Sequence, residues 1–423
     1  MPPFFRAALF LAGFALAATP ATAGDIAISQ AVLNSADGGK VTFKNLSLKD
    51  CNLTEAEATS LFTGALSRED AGALLGRMTA SEVRIPETVI EAANGDHFTV
   101  KDIVAETIAQ GGAQSLAIAS ADGVLPDDAG DSTLHLDALR VEHVSMPGLA
   151  AALATTDPGV AAFRFSHLVW QGGGISAVDK ATPAGAPGGN RIVLHVGLST
   201  IDQNFTPDGA PLDGSASFTG ISLKLPPQSR GGATLAAFGY PELDADFKMA
   251  GAYDPARKIY ALQTYTIDIQ KIGRVGLSGQ LSGLDVSAFR GERAVREKAV
   301  LASSLDWAQI DVSNAGLFDK IVAAVSLSQG KTPGAVKGEW RAIVAQAPLL
   351  FSGAQAVAVV AQELEHFIID PKTLTLRIKG KDGPLKVSEF AHIADPTAFL
   401  NKLDVSGSSA APGAAETAPG SRL

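Results

Sequence analysis

The sequence predicts a β-rich α+β fold: a long, twisted antiparallel sheet built from meanders, with short helices packed on one face and a long C-terminal amphipathic helix. Two patterns lead to this prediction. Apolar and polar residues alternate over many short runs, as in half-buried strands, and Gly, Pro and Asp separate these runs at short intervals. Near the C-terminus a long 3.6-residue period of apolar residues indicates an amphipathic helix instead.

The clearest strands lie between residues 240 and 285. On the first of them, four apolar residues alternate with charged residues. The apolar residues are Leu243, Ala245, Phe247 and Met249. Asp254-Pro255 then predicts a turn, because proline fixes φ at a turn corner and aspartate accepts hydrogen bonds from the backbone that follows. Two further strands are predicted over Ile259–Ile269 and over residues 275–281. We expect this meander to be the middle of the sheet.

The first 23 residues have the pattern of an export signal. Arg6 precedes the unbroken apolar run Ala7–Ala18, and Ala21–Ala23 fits the small-residue rule for cleavage. We therefore expect cleavage after Ala23, export, and no stable transmembrane anchor in the mature protein. A retained N-terminal anchor is the alternative, and the short apolar run disfavours it.

Composition narrows the possible partners. The 423 residues include 34 Lys and Arg against 44 Asp and Glu, scattered along the chain. Nucleic acid is not an expected partner, because no basic stripe occurs. The single cysteine, Cys51, excludes an intrachain disulfide. It ends an apolar run and is predicted to be a small buried hydrophobe, with a catalytic thiol as the alternative.

An N-terminal β/α region is predicted over residues 24–180. It starts with a hairpin of residues 25–34 and 40–48, and capping signals predict helices that start near Thr54 and Ser67. Further elements are a helix over Pro147–Ala154 and strands over residues 82–85, 98–104, 115–119, 133–144 and 163–169. The glycine-rich stretch 171–190 is interpreted as a flexible loop, of which residues 181–190 separate two regions. A phosphate-binding loop is the alternative interpretation.

The rest of the chain divides into an antiparallel meander over residues 191–289 and a C-terminal α+β region over residues 290–405. In the latter, an apolar stripe predicts one amphipathic helix over residues 348–369. No charge occurs between Arg341 and Glu363, so a membrane span is the alternative, but interspersed Gln and Ser and many alanines favour a buried helix. Residues 406–423 lack periodicity and are predicted to be a disordered tail.

Motifs for catalysis, cofactor binding or metal binding are missing from the sequence. The seven histidines form no H-E-x-x-H or other close pair of metal ligands. There is no G-x-S-x-G elbow and no complete phosphate loop. We therefore predict no catalytic, cofactor or metal residue, and a non-enzymatic protein. A hydrolase whose triad is assembled from distant residues is the remaining alternative.

Several of these features together resemble known families. They are the export signal, the strands over residues 243–284 with the turn Tyr253-Asp254-Pro255, and the helix-to-strand segment 357–376 around Asp370-Pro371. With them the chain resembles uncharacterised exported proteins of alphaproteobacteria, and its Gly-punctuated strands are more distantly similar to AsmA-like proteins of the bacterial envelope. It departs from the AsmA-like pattern by lacking a retained N-terminal membrane helix. The resemblance covers the C-terminal half and implies a periplasmic protein of a Gram-negative bacterium.

The balance of strands and helices predicts a binding function. Each alternating strand has an apolar face to cover, and the predicted helices are too few to cover all of them, which leaves an apolar groove. We expect a periplasmic protein that binds a lipid or another apolar ligand there, or assists envelope assembly. The expected ligand-facing residues lie on the meander: Leu243, Phe247, Met249, Ile267, Ile269 and Leu277. The alternative is a structural protein that docks an envelope partner through an exposed sheet edge or face.

Overall fold

The computed structural model describes residues 24–35, 38–109, 112–145, 164–183, 185–186, 189–206, 210–289, 292–391, 393 and 395–409. The predicted export signal, the helix predicted over Pro147–Ala154 and residues 410–423 of the predicted tail lie outside these ranges. The chain divides into two compact units, Met1–Asn204 with Ser215–Glu242, and Phe205–Gly214 with Leu243–Leu423. Antiparallel strands dominate both units, which confirms the β-rich α+β prediction.

Among its described residues, the first unit contains nine strands in which sheet order follows chain order. They are β1 (Gly24–Asn34), β2 (Lys40–Cys51), β3 (Ala80–Glu91), β4 (His97–Ala109), β5 (Gly112–Leu125), β6 (Ser132–Ser145), β7 (His167–Val178), β8 (Arg191–Phe205) and most of β9 (Pro211–Lys224). Its helices are α1 (Glu55–Thr63), α2 (Arg68–Arg77) and α3 (Arg230–Ala237). The predicted hairpin of β1 and β2 is confirmed. Helix α3 departs from the prediction, which has an antiparallel meander over residues 191–289.

A dense core fills the first unit between the strands from β1 to β6 and helices α1 and α2. Five of its most deeply buried side chains belong to β2, β3 and the end of α2: Leu46, Leu48, Cys51, Met78 and Ile85. The predicted start of α1 is confirmed as a complete capping box. The Glu57 backbone N–H donates to the Thr54 hydroxyl over 3.2 Å, and the Thr54 backbone N–H donates to the Glu57 carboxylate over 2.8 Å.

The loop prediction for residues 171–190 is wrong in its first part, because β7 continues to Val178. The three glycines lie inside this strand and form an irregularity. Gly172 has φ 63°, a conformation that glycine adopts readily, and a Cβ there would come within 1.9 Å of the Asp137 carboxylate. The Trp170 indole donates a 2.8 Å hydrogen bond to the Gly172 carbonyl. These glycines therefore let strand β7 pass close to the Trp170 side chain and do not form a flexible loop.

The second unit contains the rest of the strands. They are β10 (Leu243–Asp254), β11 (Ile259–Ile269), β12 (Gly273–Ser282), β13 (Ser304–Asn314), β14 (Thr373–Gly380), β15 (Leu385–Lys386) and β16 (Leu403–Ser408). The sheet order is β10-β11-β12-β13-β14-β16, and β15 pairs with the start of β13. Its helices are α4 (Arg293–Ala302), α5 (Leu317–Gln329), α6 (Pro333–Leu350), α7 (Gln355–Ile369), α8 (Val387–Ala391) and α9 (Pro396–Asn401).

The predicted meander is confirmed as strands β10, β11 and β12. Its first turn forms as expected, because the Asp254 carboxylate accepts hydrogen bonds from the backbone N–H groups of Ala256 and Arg257, at 2.9 and 3.0 Å. At the other end of the chain, residues 406–408 of the predicted tail belong to β16 and pair with β14.

The predicted single helix over residues 348–369 is replaced by two helices, α6 and α7. Pro348 lies in the last turn of α6 and does not start a helix. The chain reverses at Gly353, which has φ 76° and donates a 2.8 Å hydrogen bond from its N–H to the Pro348 carbonyl. The 3.6-residue stripe continues across this reversal, which is why periodicity alone merged the two helices. Within the described ranges, no helix combines the length and the apolarity that crossing a membrane requires.

Candidate functional site

Strand register places apolar side chains of β10 to β13 on one face of the second unit. Residues directly opposite each other in antiparallel strands point to the same side of the sheet. Two cross-strand rows result: Phe247, Ile267, Val275 and Val312 in one, and Met249, Tyr265, Leu277 and Ile310 in the other. We call these eight residues the open face. The Tyr265 hydroxyl is the only polar side-chain group among them.

All six residues predicted to face a ligand lie on this side of the sheet. Leu243 precedes Phe247 and Met249 at even spacing along β10. Ile267 is opposite Phe247, and Ile269 is opposite Ala245 on the same side. Leu277 is opposite Tyr265, which in turn is opposite Met249.

Four members of the open face were not predicted as site residues: Tyr265, Val275, Ile310 and Val312. Val275 belongs to the same alternating run as Leu277, so period two alone could have identified it. The other three needed the register between strands, which a single sequence does not reveal.

Side chains of the open face reach solvent. Met249, Ile267, Val275 and Leu277 have exposed fractions of 37 to 42%, although they lie on three neighbouring strands. The remaining four members are half-buried. Phe247 and Tyr265 support one another diagonally, with an edge-to-face ring contact at 5.2 Å. Exposed large apolar side chains therefore form one continuous surface and are not scattered singly.

Helix α7 covers the continuation of the same face on the far strands. The rows extend from Val312 to Leu374 and from Ile310 to Leu376 on β14. There α7 packs on β14 and β16, and its Ala356 joins a buried cluster. The other members of that cluster lie on β15 and β16: Leu385, Leu403 and Val405. Helices α5 and α6 stack on α7, since Phe318 contacts Trp340 and Phe367 at 5.7 and 5.6 Å.

An aromatic group closes one end of the open face. Beyond the irregularity in the pairing of β10 with β11, Tyr253 and Tyr260 are directly opposite one another, and Tyr253 lies at even spacing from Met249 along β10. The Phe289 ring packs on both, at 4.9 and 6.2 Å. The Tyr253 hydroxyl donates a 2.9 Å hydrogen bond to the Leu284 carbonyl, and burial raises the pKa of Tyr260. The open face is thus bounded by this aromatic group and, across β13, by α7.

The opposite face of the meander is polar and hydrogen-bonded. Asp311 accepts a 2.7 Å hydrogen bond from the Thr375 hydroxyl and further bonds from the Gln309 amide. Asp306 accepts from Gln280 over 2.7 Å. This chemical difference makes the apolar side the candidate surface for an apolar ligand.

The first unit brings a serine and a histidine, two residue types that hydrolases use, within hydrogen-bonding distance of each other. The Ser166 hydroxyl is 2.7 Å from His143 Nδ1, and the Gln114 amide nitrogen is 2.9 Å from His143 Nε2. An amide in that place cannot stabilise an imidazolium as the carboxylate of a Ser-His-Asp triad does. Two shallow depressions of this unit, one between α1 and α2 and one over β4 to β7, are lined by other residues.

Two further titratable groups of the first unit have shifted pKa values. His135 lies 2.7 Å from both Asp122 and Asp137, and these hydrogen bonds raise the pKa of His135. Burial raises the pKa of the Cys51 thiol, whereas a reactive thiol needs a lowered pKa. Within the described residues, no group of three or more His, Cys, Asp or Glu side chains is arranged to bind a metal ion.

Comparison with known proteins adds one finding. A family model described as "Uncharacterized protein" matches residues 266–410, about a third of the chain. The match runs from within β11 to the residues just after β16. No curated protein matches the chain.

Proposed function

We propose that this chain is an exported, non-enzymatic periplasmic protein of a Gram-negative bacterium that binds an acyl chain or another apolar ligand on the open face. The observation that carries the proposal is the exposure of Met249, Ile267, Val275 and Leu277 in register on three strands, beside a continuation of the same face that α7 covers. A carrier of this kind would serve envelope assembly by moving or presenting a lipid.

The physical chemistry of the open face favours an aliphatic ligand. Removing apolar surface from water stabilises a complex by roughly 25 cal/mol per Å². No charged group lies among the eight side chains, so an acyl chain would meet no unpaired charge. The aromatic group at one end and α7 at the other would limit the length of chain that the face accommodates.

An exchange of neighbouring residues tests the proposal, because Met249 and the adjacent Lys248 are both exposed and point to opposite sides of β10. Met249→Glu places a carboxylate on the open face and should weaken binding of a fluorescent fatty acid by roughly tenfold or more. Lys248→Glu introduces the same residue on the polar face and should bind like the wild type. Equal affinities of all three proteins, or no binding by the wild type, would exclude the open face as the site.

The native ligand can be sought directly. Native mass spectrometry and lipid extraction of protein purified from its own periplasm should reveal a bound lipid in the wild type, and less of it in Met249→Glu. A wild-type protein that carries no lipid and takes none up would contradict the proposal.

A structural or partner-binding role is the second candidate, and the edge of the first unit favours it. Strand β1 spans Gly24–Asn34 and pairs only with β2 among the described strands. An edge of this length offers backbone donors and acceptors for strand addition by another protein. Cross-linking with pull-down separates the two roles, since a structural protein should recover one partner stoichiometrically and a lipid carrier should not.

A further inference from the structure

The turn between α6 and α7 carries strongly exposed large apolar side chains. Leu349 and Leu350 are each 79% exposed and Ile343 is 68% exposed. Leu349 and Leu350 directly precede the reversal formed by residues 351–354, and Ile343 lies two turns earlier on α6. We call Leu349, Leu350 and this reversal the apolar tip. Its side chains reach solvent far more than those of the open face, and it is a separate surface.

The apolar tip is followed in both directions by a stretch without charge. No Asp, Glu, Lys or Arg occurs between Arg341 on α6 and Glu363 on α7. At 1.5 Å per residue, the first charge lies about 13 Å from the tip along α6 and about 12 Å along α7. The hydrocarbon of one leaflet is about 15 Å thick, half of the bilayer core. Ala356 at the start of α7 packs with Leu385 and Leu403, whose sequence neighbours Lys386 and Lys402 are charged, so the reversal and the last turn of α6 are the part that can enter one leaflet.

Three backbone N–H groups of the reversal are hydrogen-bonded within it. The N–H groups of Phe351 and Gly353 donate to the Pro348 carbonyl at 3.3 and 2.8 Å, and the Ala354 N–H donates to the Phe351 carbonyl at 3.1 Å. An irregular turn with unpaired backbone groups could not enter lipid without a large cost, because the hydrocarbon offers no hydrogen-bonding partner. Internal pairing lowers that cost here.

Helix α4 lies at the same end of the second unit and is cationic. Ala356, which lies next to the tip, shares a buried cluster with Leu385 on β15. Strand β15 pairs with the start of β13, and β13 directly follows α4 in the chain. Helix α4 carries three cations against one anion: Arg293, Arg296 and Lys298 against Glu297. It also exposes apolar side chains: Val295, Val300 and Leu301. In a chain of net charge −10, helix α4 itself combines exposed apolar residues with two more cations than anions, and the carboxylate of Glu292 stands just before it.

We propose that this end of the second unit docks on a lipid bilayer that contains anionic headgroups, with the apolar tip in the acyl region of one leaflet and α4 at the headgroups. Anionic headgroups attract cationic segments close to the surface. A protein partner fits the tip less well, since binding hot spots are enriched in Trp, Tyr and Arg, whereas leucine is under-represented among them. The proposal goes beyond ligand binding on the open face and does not depend on it.

Vesicle flotation with the full mature chain tests this docking. Vesicles of phosphatidylcholine with added phosphatidylglycerol should carry the wild-type protein upward, and pure phosphatidylcholine or raised salt should weaken binding. Replacing both tip leucines (Leu349→Asp with Leu350→Asp) should lower the partition coefficient by roughly tenfold or more. Circular dichroism should remain unchanged, because both side chains are exposed in the folded protein.

The chain offers a matched control in Leu327, which is 84% exposed near the end of α5. It lies beside the α5–α6 turn, so most of the length of α6, about 24 Å, separates it from the tip. Leu327→Asp should float like the wild type. A wild type that does not float with anionic vesicles, or a Leu327→Asp protein that loses as much binding as the tip variant, would overturn the proposal.

Two other outcomes are informative. If the wild type is a dimer that the tip variant dissociates, and vesicles bind neither protein, a second copy covers the tip and the lipid proposal is wrong. If Met249→Glu loses fatty-acid binding but still floats, docking is supported separately from the open face. Flotation of the wild type without fatty-acid binding would support docking and contradict the proposed function.

Discussion

The core of the first unit and the meander of the second unit are built from the same alternating strand pattern, yet one apolar face is buried and the other meets solvent. In the first unit, Leu46 and Leu48 on β2 and Ile85 on β3 are almost fully buried beneath α1 and α2. In the meander, Ile267 and Val275 remain exposed on their strands. Alternation therefore decides which face is apolar, and the helices decide whether that face becomes a core or a surface.

The connections explain where the helices can lie. The first unit places 28 residues, numbers 52–79, between β2 and β3, and α1 and α2 occupy this connection. The meander joins its strands by residues 255–258 and by residues 270–272, which are too short for a helix. The helices of the second unit come later in the chain, and among them α7 packs on β14 and β16. Short turns thus leave the face of β10 to β12 without a helix of its own.

Truncation of one leucine in each region should show the largest difference. Leu48→Ala removes a fully buried side chain and should lower the free energy of unfolding by about 2–5 kcal/mol. Leu277→Ala acts on a half-exposed side chain and should cost about 1 kcal/mol or less. Urea unfolding followed by circular dichroism measures both. Equal losses would mean that the open face is covered in solution, for instance by a second copy.

An isosteric exchange gives a smaller but cleaner contrast. Val83 on β3 is buried in the first-unit core, whereas Val275 on β12 is exposed. Val83→Thr buries a hydroxyl in apolar surroundings and should cost about 1–3 kcal/mol. Val275→Thr should change stability by only about 0.5 kcal/mol, because water can solvate the new hydroxyl. A large loss from Val275→Thr would contradict the solvent exposure of the open face.

Local signals in the sequence were sufficient where neighbouring residues decide the structure. The Thr54–Glu57 spacing predicted the capping box, and Asp254 predicted the turn between β10 and β11, because each of these interactions spans only three residues or fewer. Gly172 and Pro348 misled the prediction. Glycine and proline mark breaks in the pattern, but distant contacts decide whether a break becomes a loop, a strand irregularity or a helix end.

The candidate site was predictable along a strand but not across strands. Even spacing put Phe247 and Met249 on one side of β10 from sequence alone. Tyr265 pairs with Leu277, and Val275 pairs with Val312, only in the observed register. Other registers of two alternating strands would also match apolar residues with apolar ones, so the sequence alone does not select this one. Contacts between residues far apart in the sequence decide which part of the face α7 covers, and no local sequence pattern indicates it.

Removal of the N-cap of α1 should destabilise the first unit, whose apolar face α1 and α2 cover, and should leave the meander unchanged. Thr54→Ala removes the hydroxyl that accepts the Glu57 backbone N–H and should lower the free energy of unfolding by about 1 kcal/mol. Thr59→Ala is the matched control, since Thr59 is exposed within α1 and alanine has the higher helix propensity. Hydrogen exchange should locate the loss of protection in α1 and β2. Loss of protection in the meander would contradict the assignment of this cap to the first core.

The smallest expected effect concerns the ion pair at the end of the meander, which joins the β10–β11 turn to the residues that follow β12. Asp285 lies 2.9 Å from the Lys258 ammonium and accepts the Ser287 backbone N–H, which together lower the pKa of Asp285 from 3.8 to about 2. Because the folded pKa is below the unfolded value, the carboxylate stabilises the folded state above pH 3.8, and this contribution fades as pH falls through about 2.

An NMR titration of the Asp285 side-chain carboxyl carbon should report that low pKa directly. Lys258→Met removes the largest cause of the shift, so the pKa of Asp285 should rise towards 3.8 without reaching it, since the Ser287 N–H still donates. The free-energy difference between the wild type and Asp285→Asn should be largest at neutral pH and should shrink below pH 3.8. Chemical shifts of the Ile267 and Leu277 methyl groups should stay unchanged in Lys258→Met if the ion pair fastens only the end of the meander. Shifts at these methyls would show that the end of the meander and the open face respond as one structure.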